Sequence, residues 1–74
     1  MKPQPLAHLS ARRHAIVADV DLAGEDAIRL KALGICAGRR VEIIQPGDPL
    51  IVRVHGSHVG LAQRLAEHVL VRPA

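Results

Sequence analysis

Not one of the 74 residues is Phe, Tyr or Trp. A chain without aromatic side chains has to assemble its core from many aliphatic contacts, each individually weak. Leu, Ile and Val number 23 and Ala adds 11, so the material for such a core is present. Apolar residues make up 49% of the chain, which places it with globular proteins rather than disordered ones. A domain of this length buries only about 60% of the surface its unfolded chain exposes, so its stability is marginal. Residues 1–74 therefore read as one small domain. Its first five residues, with prolines at positions 3 and 5, are expected to be flexible.

The missing aromatics also exclude function classes. RNA-recognition, cold-shock and OB-type single-strand binders depend on base–aromatic stacking, and no platform for it exists here. The net charge is +3, yet the cations are scattered and no basic run exceeds two residues. That pattern reads as a solvated surface, and no nucleic-acid partner is expected. A single cysteine rules out an internal disulfide and a CxxC zinc framework, and fits the cytoplasm. The start, MKPQPLAHLS, has no apolar segment of the kind a signal peptide needs. No apolar run approaches the roughly 20 residues of a membrane span.

The order of elements follows from periodicity and punctuation. Leu6 to Ala11 can make one helical turn, with Leu6 and Leu9 on the core. Ala15 to Val20 reads as a strand with Ile16, Ala18 and Val20 on one face. Glu25 to Leu33 reads as the one substantial helix. Gly24 can serve as its N-cap, with Asp21 the less favoured start; Glu25 and Asp26 suit the dipole of its first turn, and Ala23, Ala27, Leu30 and Leu33 form its buried stripe. Gly34 then stands where a left-handed C′ glycine belongs, with Ile35 at C″. Cys36 to Arg39 is a tight turn in which Gly38 takes positive φ.

Further strands are expected at Val41 to Gln45, Leu50 to His55, His58 to Ala62 and Val69 to Val71. Pro46 to Pro49 forms a loop, Gly56-Ser57 a two-residue hairpin turn, and Gln63 to His68 a helical turn. Gly60 marks a bend or a close backbone approach. The expected core is Ile16, Val20, Leu30, Leu33, Val41, Ile43, Val52, Val54, Leu61 and Val69. The sum is a mainly all-β chain: about five short strands, one inserted helix and short helical turns. Such strands close most economically into a small barrel with few exposed edges.

With those residues in order, the chain resembles the ferrous iron transport protein A (FeoA) family. The likeness is carried by the stretch Arg29-Leu30-Lys31-Ala32-Leu33-Gly34-Ile35-Cys36-Ala37-Gly38-Arg39-Arg40-Val41-Glu42-Ile43-Ile44. Gly47-Asp48-Pro49-Leu50, Val52, Val54, Gly56 and the tail Ala66, Val69 and Val71 continue it. It spans Leu6 to Val71. Ala37 stands where the family usually has Pro, and Ala11-Arg12-Arg13 where it often has Pro-Gly-Glu; Cys36 is also atypical. The resemblance implies an SH3-like barrel. It further implies a cytoplasmic adaptor or regulator, peripheral to the inner membrane, that serves a bacterial ferrous iron transporter by contact with its membrane GTPase. Weak homo-oligomer formation stays open.

No catalytic constellation is visible, and no enzyme activity or cofactor is expected. Cys36 has no Cys-His-Asn or Cys-His-Asp surroundings. His55 and His58 flank a hairpin turn, and with Cys36 they are the candidates for a metal. Two imidazoles make a weak site, because stable ones need three or four ligands with outer support. At most weak zinc binding and no tight ferrous site is expected. The candidate partner-binding residues are Leu33, Ile35, Cys36, Arg39 and Arg40: an apolar knob beside a basic pair, with Ile35 alternatively buried as the helix-capping contact. A nucleic-acid-binding barrel and a transition-metal-binding or sensing module are the alternative functions.

Overall fold

The computed structural model describes residues 2–74. The described chain forms β1 (Gln4–Pro5), a 3₁₀ turn (Leu6–His8), β2 (His14–Val20) and α1 (Gly24–Ala32). It continues with β3 (Arg40–Gln45), β4 (Leu50–Val54), β5 (Ser57–Leu61), α2 (Gln63–Ala66) and β6 (Val69–Pro73). The strands make one sheet in the order β1-β6-β2-β3-β4-β5, every pair antiparallel. The sixth strand is β1, whose Gln4 and Pro5 pair with Val71 and Leu70. The flexible start expected for residues 1–5 thus gives way to a paired edge at positions 4 and 5; Met1 lies outside the described residues. No helix among these residues is long and apolar enough to cross a membrane.

Alternate residues of the strands meet in one cluster with Leu6, Leu9, Leu30, Ile35, Leu65 and Ala66, so the sheet curls around a single aliphatic core. Two register shifts, between Val17 and Asp19 in β2 and between Ile43 and Gln45 in β3, supply the local bends. Seven expected core residues are buried: Leu30, Val41, Ile43, Val52, Val54, Leu61 and Val69. Three are not.

In β2 the inward residues are Ala15 and Val17, while Ile16, Ala18 and Val20 are half-buried. The run AIVADV is apolar on both faces, and a one-residue change of phase exchanges them. The bulge then returns Val20 to a position packed against the core. Leu33 is the other correction: it is the C-cap of α1 and 39% exposed. Ile35, 1% exposed, fills the core in its place.

Local chemistry explains most turns. Gly38 has φ +88°, and the Arg39 amide donates to the Cys36 carbonyl at 3.0 Å, closing the expected turn. The β4–β5 hairpin turns one residue earlier than expected. His55 (φ 54°) and Gly56 (φ 77°) are its central residues, as a type I′ turn requires. His is among the side chains that tolerate the left-handed region. The helix begins one residue earlier than expected, with Ala23 as N-cap and Gly24 at φ 65°. Gly60 has no positive φ, and a Cβ there would meet Ile51 at 3.7 Å and Pro49 at 3.8 Å, ordinary contacts. The close approach expected at Gly60 is therefore absent.

Asp48 accepts a hydrogen bond from the Gln63 amide at 3.1 Å and so caps α2 from a loop 15 residues away. Asp48→Ala should cost about 1 kcal/mol, the usual worth of a helix cap, readable as a lowered urea midpoint. An unchanged midpoint would show that α2 needs no cap.

Candidate functional site

The segment from Leu33 to Arg40 is built by two successive reversals. The Ile35 amide donates to the Leu30 carbonyl at 2.9 Å and the Gly34 amide to the Lys31 carbonyl at 3.0 Å. These are the two bonds of a Schellman motif, with Gly34 at φ 90°. The Gly38 turn then feeds β3, held to β2 by Gly38 N–H to Val17 O at 2.8 Å and Val17 N–H to Arg39 O at 2.9 Å.

Each candidate residue has a definite place in this segment. Leu33 is on the surface. Ile35 is not: it closes the Schellman motif from inside the core and is 1% exposed. Cys36 is half-buried, its thiol 3.9 Å from the Gly34 carbonyl. Arg39 is half-buried, with NH1 3.4 Å from His55 Nδ1 and its Nε shielded without a hydrogen-bond partner. Arg40 is exposed at the start of β3.

One residue escaped the sequence reading. Ile28 is 70% exposed, and it and Leu33 are the large exposed hydrophobics of the described chain. The signal was available, because an Ile opposite the buried stripe of a short helix has no core to enter. Separately, a depression of about 280 Å³ is lined by Asp19, Val20, Ala27, Lys31, Ile35, Cys36 and Ala37. Its floor is apolar and its rim charged, the anatomy of a protein interface.

His55 does not join a metal group. Its Nδ1 lies 3.4 Å from Arg39 NH1. The ring rests against Gly34, where an added Cβ would lie 3.3 Å from His55 Cδ2. His58 sits on β5 opposite Arg53. Among the described residues, no three or more His, Cys, Asp or Glu stand together so as to hold a metal ion. The set His55, His58 and Cys36 is thus not assembled.

Comparison with known proteins follows this geometry. A family model described as the FeoA domain matches residues 4–73. Curated protein sequences give no match. Among solved structures, an iron uptake regulatory protein (FeoA) superposes with a TM-score of 0.91 over 100% of both chains, at 22% identity. Stenotrophomonas maltophilia FeoA, an SH3 domain protein solved in complex with zinc, is 32% identical. That match has a TM-score of 0.80 and covers 93% of this chain and 89% of the other. T. acidophilum IdeR shares the fold at 18% identity and TM-score 0.89; 97% of this chain covers 34% of it. The family is associated with ferrous iron transport, and neither it nor the fold is catalytic in general. The curled six-stranded sheet is an SH3-like fold, and the chain belongs to the FeoA family.

Proposed function

We propose that this protein is a small adaptor or regulator of a bacterial ferrous iron transporter. It binds the transporter's membrane GTPase component on the cytoplasmic side and is held at the inner membrane through that partner. It acts by binding and catalyses no reaction. The observation that supports this reading is the exposure of Ile28 on α1 and of Leu33 at its C-cap, on an element that also contributes Ala27 and Lys31 to an apolar depression. Desolvated aliphatic anchors of this kind supply affinity, and flanking charges such as Lys31, Arg39 and Arg40 steer encounter. Membership of a family associated with ferrous iron transport supports this choice of partner.

The test is co-purification with the ferrous transporter of the same genome, in each nucleotide state. Ile28→Asp and Leu33→Asp change exposed positions and leave the core intact, and each should weaken binding at least about tenfold, the loss of one interface anchor. Arg39→Glu with Arg40→Glu should slow association and flatten its salt dependence. Folded variants that bind as wild type overturn the site. A wild-type protein that never binds, and whose deletion leaves ferrous uptake unchanged, overturns the function.

A further inference from the structure

The outer face of the sheet carries a second feature, which shares Arg40 with the charged flank of the proposed partner surface. We propose that the outer surface of β2, β3 and β4 holds a binding site for a phosphate-type anion, centred on Arg40 and Arg53. A shallow depression of about 200 Å³ opens there, lined by His14, Arg40, Val41, Glu42, Arg53 and His55, with Gly56 at its end. It lies outside the apolar depression beside α1, and its test needs no transporter.

Strand register builds the site. His14 pairs with Glu42, Glu42 with Arg53 and Arg53 with His58, so one outward row crosses four strands. In the neighbouring row Ile16 is paired with Arg40 on one side and Arg72 on the other. Arg40 and Arg53 are thus diagonal neighbours on one face, about 7–8 Å apart at the backbone. Both side chains line the depression, so an anion placed in it lies within reach of both guanidinium groups.

The one carboxylate in the depression is paired with Arg53, which leaves Arg40 as the depression's unpaired charge among the described residues. Glu42 Oε1 accepts from Arg53 NH1 at 3.0 Å, and its Oε2 faces His14 Nε2 at 3.8 Å. Arg53 remains half exposed, with donors to spare. Arg40 has no carboxylate within 4.0 Å among the described residues. The surroundings add to this excess. Arg72 lies across Ile16 from Arg40, and Arg39 NH1 stands 3.4 Å from His55 Nδ1, while Asp19, Asp21, Glu25 and Asp26, four of the chain's seven acids, lie at or just past the far end of β2 and at the start of α1. That separation directs an attractive field for anions toward the sheet face.

Phosphate fits better than a carboxylate. A guanidinium fork engages two oxygens at once, and a tetrahedral phosphate can offer oxygen pairs to two forks where a carboxylate offers one. The depression is open and short, suited to a compact anion rather than to an extended acidic peptide.

The experiment is an amide NMR titration of the full chain with inorganic phosphate and pyrophosphate, against chloride at matched ionic strength. Saturable shifts at residues 40–42 and 53–56, stronger for pyrophosphate and absent with chloride, are expected. Arg40→Gln should weaken pyrophosphate binding about tenfold, the loss of one charge-assisted hydrogen-bonded contact. Arg29→Gln, an equal change of net charge on α1, should alter it less than twofold. Glu42→Gln should tighten binding more than Glu25→Gln does, because only Glu42 stands in the depression. Vesicles of phosphatidylglycerol and of phosphatidylcholine identify the source. Binding to the former alone, lost in Arg40→Gln, assigns a lipid headgroup; pyrophosphate binding without vesicle binding assigns a soluble phosphoester. Equal responses to phosphate and chloride overturn the site. So do equal losses in Arg40→Gln and Arg29→Gln, or a hexaglutamate peptide that binds more tightly than pyrophosphate.

Discussion

Leu30→Ala is expected to lower the unfolding free energy by about 2–5 kcal/mol in a urea titration. Leu30 is fully buried, the one α1 residue that is, and its carbonyl accepts the Leu33 and Ile35 amides at 3.1 and 2.9 Å. Removing its side chain leaves a void under the helix that the Schellman turn cannot collapse into without giving up those bonds. A domain of this size has roughly 4–11 kcal/mol of stability in total, so the variant forfeits a large share of it. Leu33→Ala, three residues on at an exposed C-cap, should cost less than about 1 kcal/mol. The contrast is the test: a Leu33 variant less stable than the Leu30 variant would reverse the burial assigned to the two side chains.

The second large effect is at Gly34. Its φ of 90° lies where side chains are rarely tolerated, and a Cβ there would stand 3.2 Å from Val54 Cγ1 and 3.3 Å from His55 Cδ2. Gly34→Val therefore combines backbone strain of about 1–3 kcal/mol with overpacking of about the same size. The expected loss is about 2–6 kcal/mol, with disturbance of the hairpin tip that carries His55. Gly38 separates the two causes. Its φ is 88°, yet nothing lies within 4 Å of an added Cβ. Gly38→Val should pay the strain alone, about 1–3 kcal/mol. Equal melting temperatures for the two valine variants would show that the contact with Val54 and His55 adds nothing.

The two parts of the candidate site differed in how far they could be read from the chain. Leu33-Gly34-Ile35 announces a helix end, because Gly marks the left-handed residue and the apolar residue after it closes the motif. Which of the two apolar neighbours faces water is decided by the reversal itself. The chain turns back at Gly34, so Ile35 enters the core and Leu33 is left outside. Arg39 and His55 are 16 residues apart, and only the β3–β4 pairing sets their side chains 3.4 Å apart. Arg12, at φ 69°, is a case in the other direction. It occupies the middle of the turn where the resemblance placed Gly, and the left-handed backbone there gives that preference its reason.

What the chain determined by itself was local or statistical. The absence of aromatic residues confined the core to aliphatic packing, and Gly38, Gly34 and the Pro46 to Pro49 loop marked where the chain must turn. The alternation of Leu50, Val52 and Val54 carried its own phase, because polar Arg53 breaks the opposite face. The tertiary structure decided whatever depended on pairing at a distance. It chose the inward face of β2, where AIVADV is apolar on both sides and only pairing with β3 and β6 sets Ala15 against Val41 and Val17 against Val71. It recruited Gln4 and Pro5 as a sixth strand, since backbone hydrogen bonds need a partner edge and β6 supplies it. It also gathered His14, Arg40, Glu42, Arg53 and His55 around one depression. Residues 41 positions apart become neighbours there only through register, which hydrophobic periodicity cannot encode across separate strands.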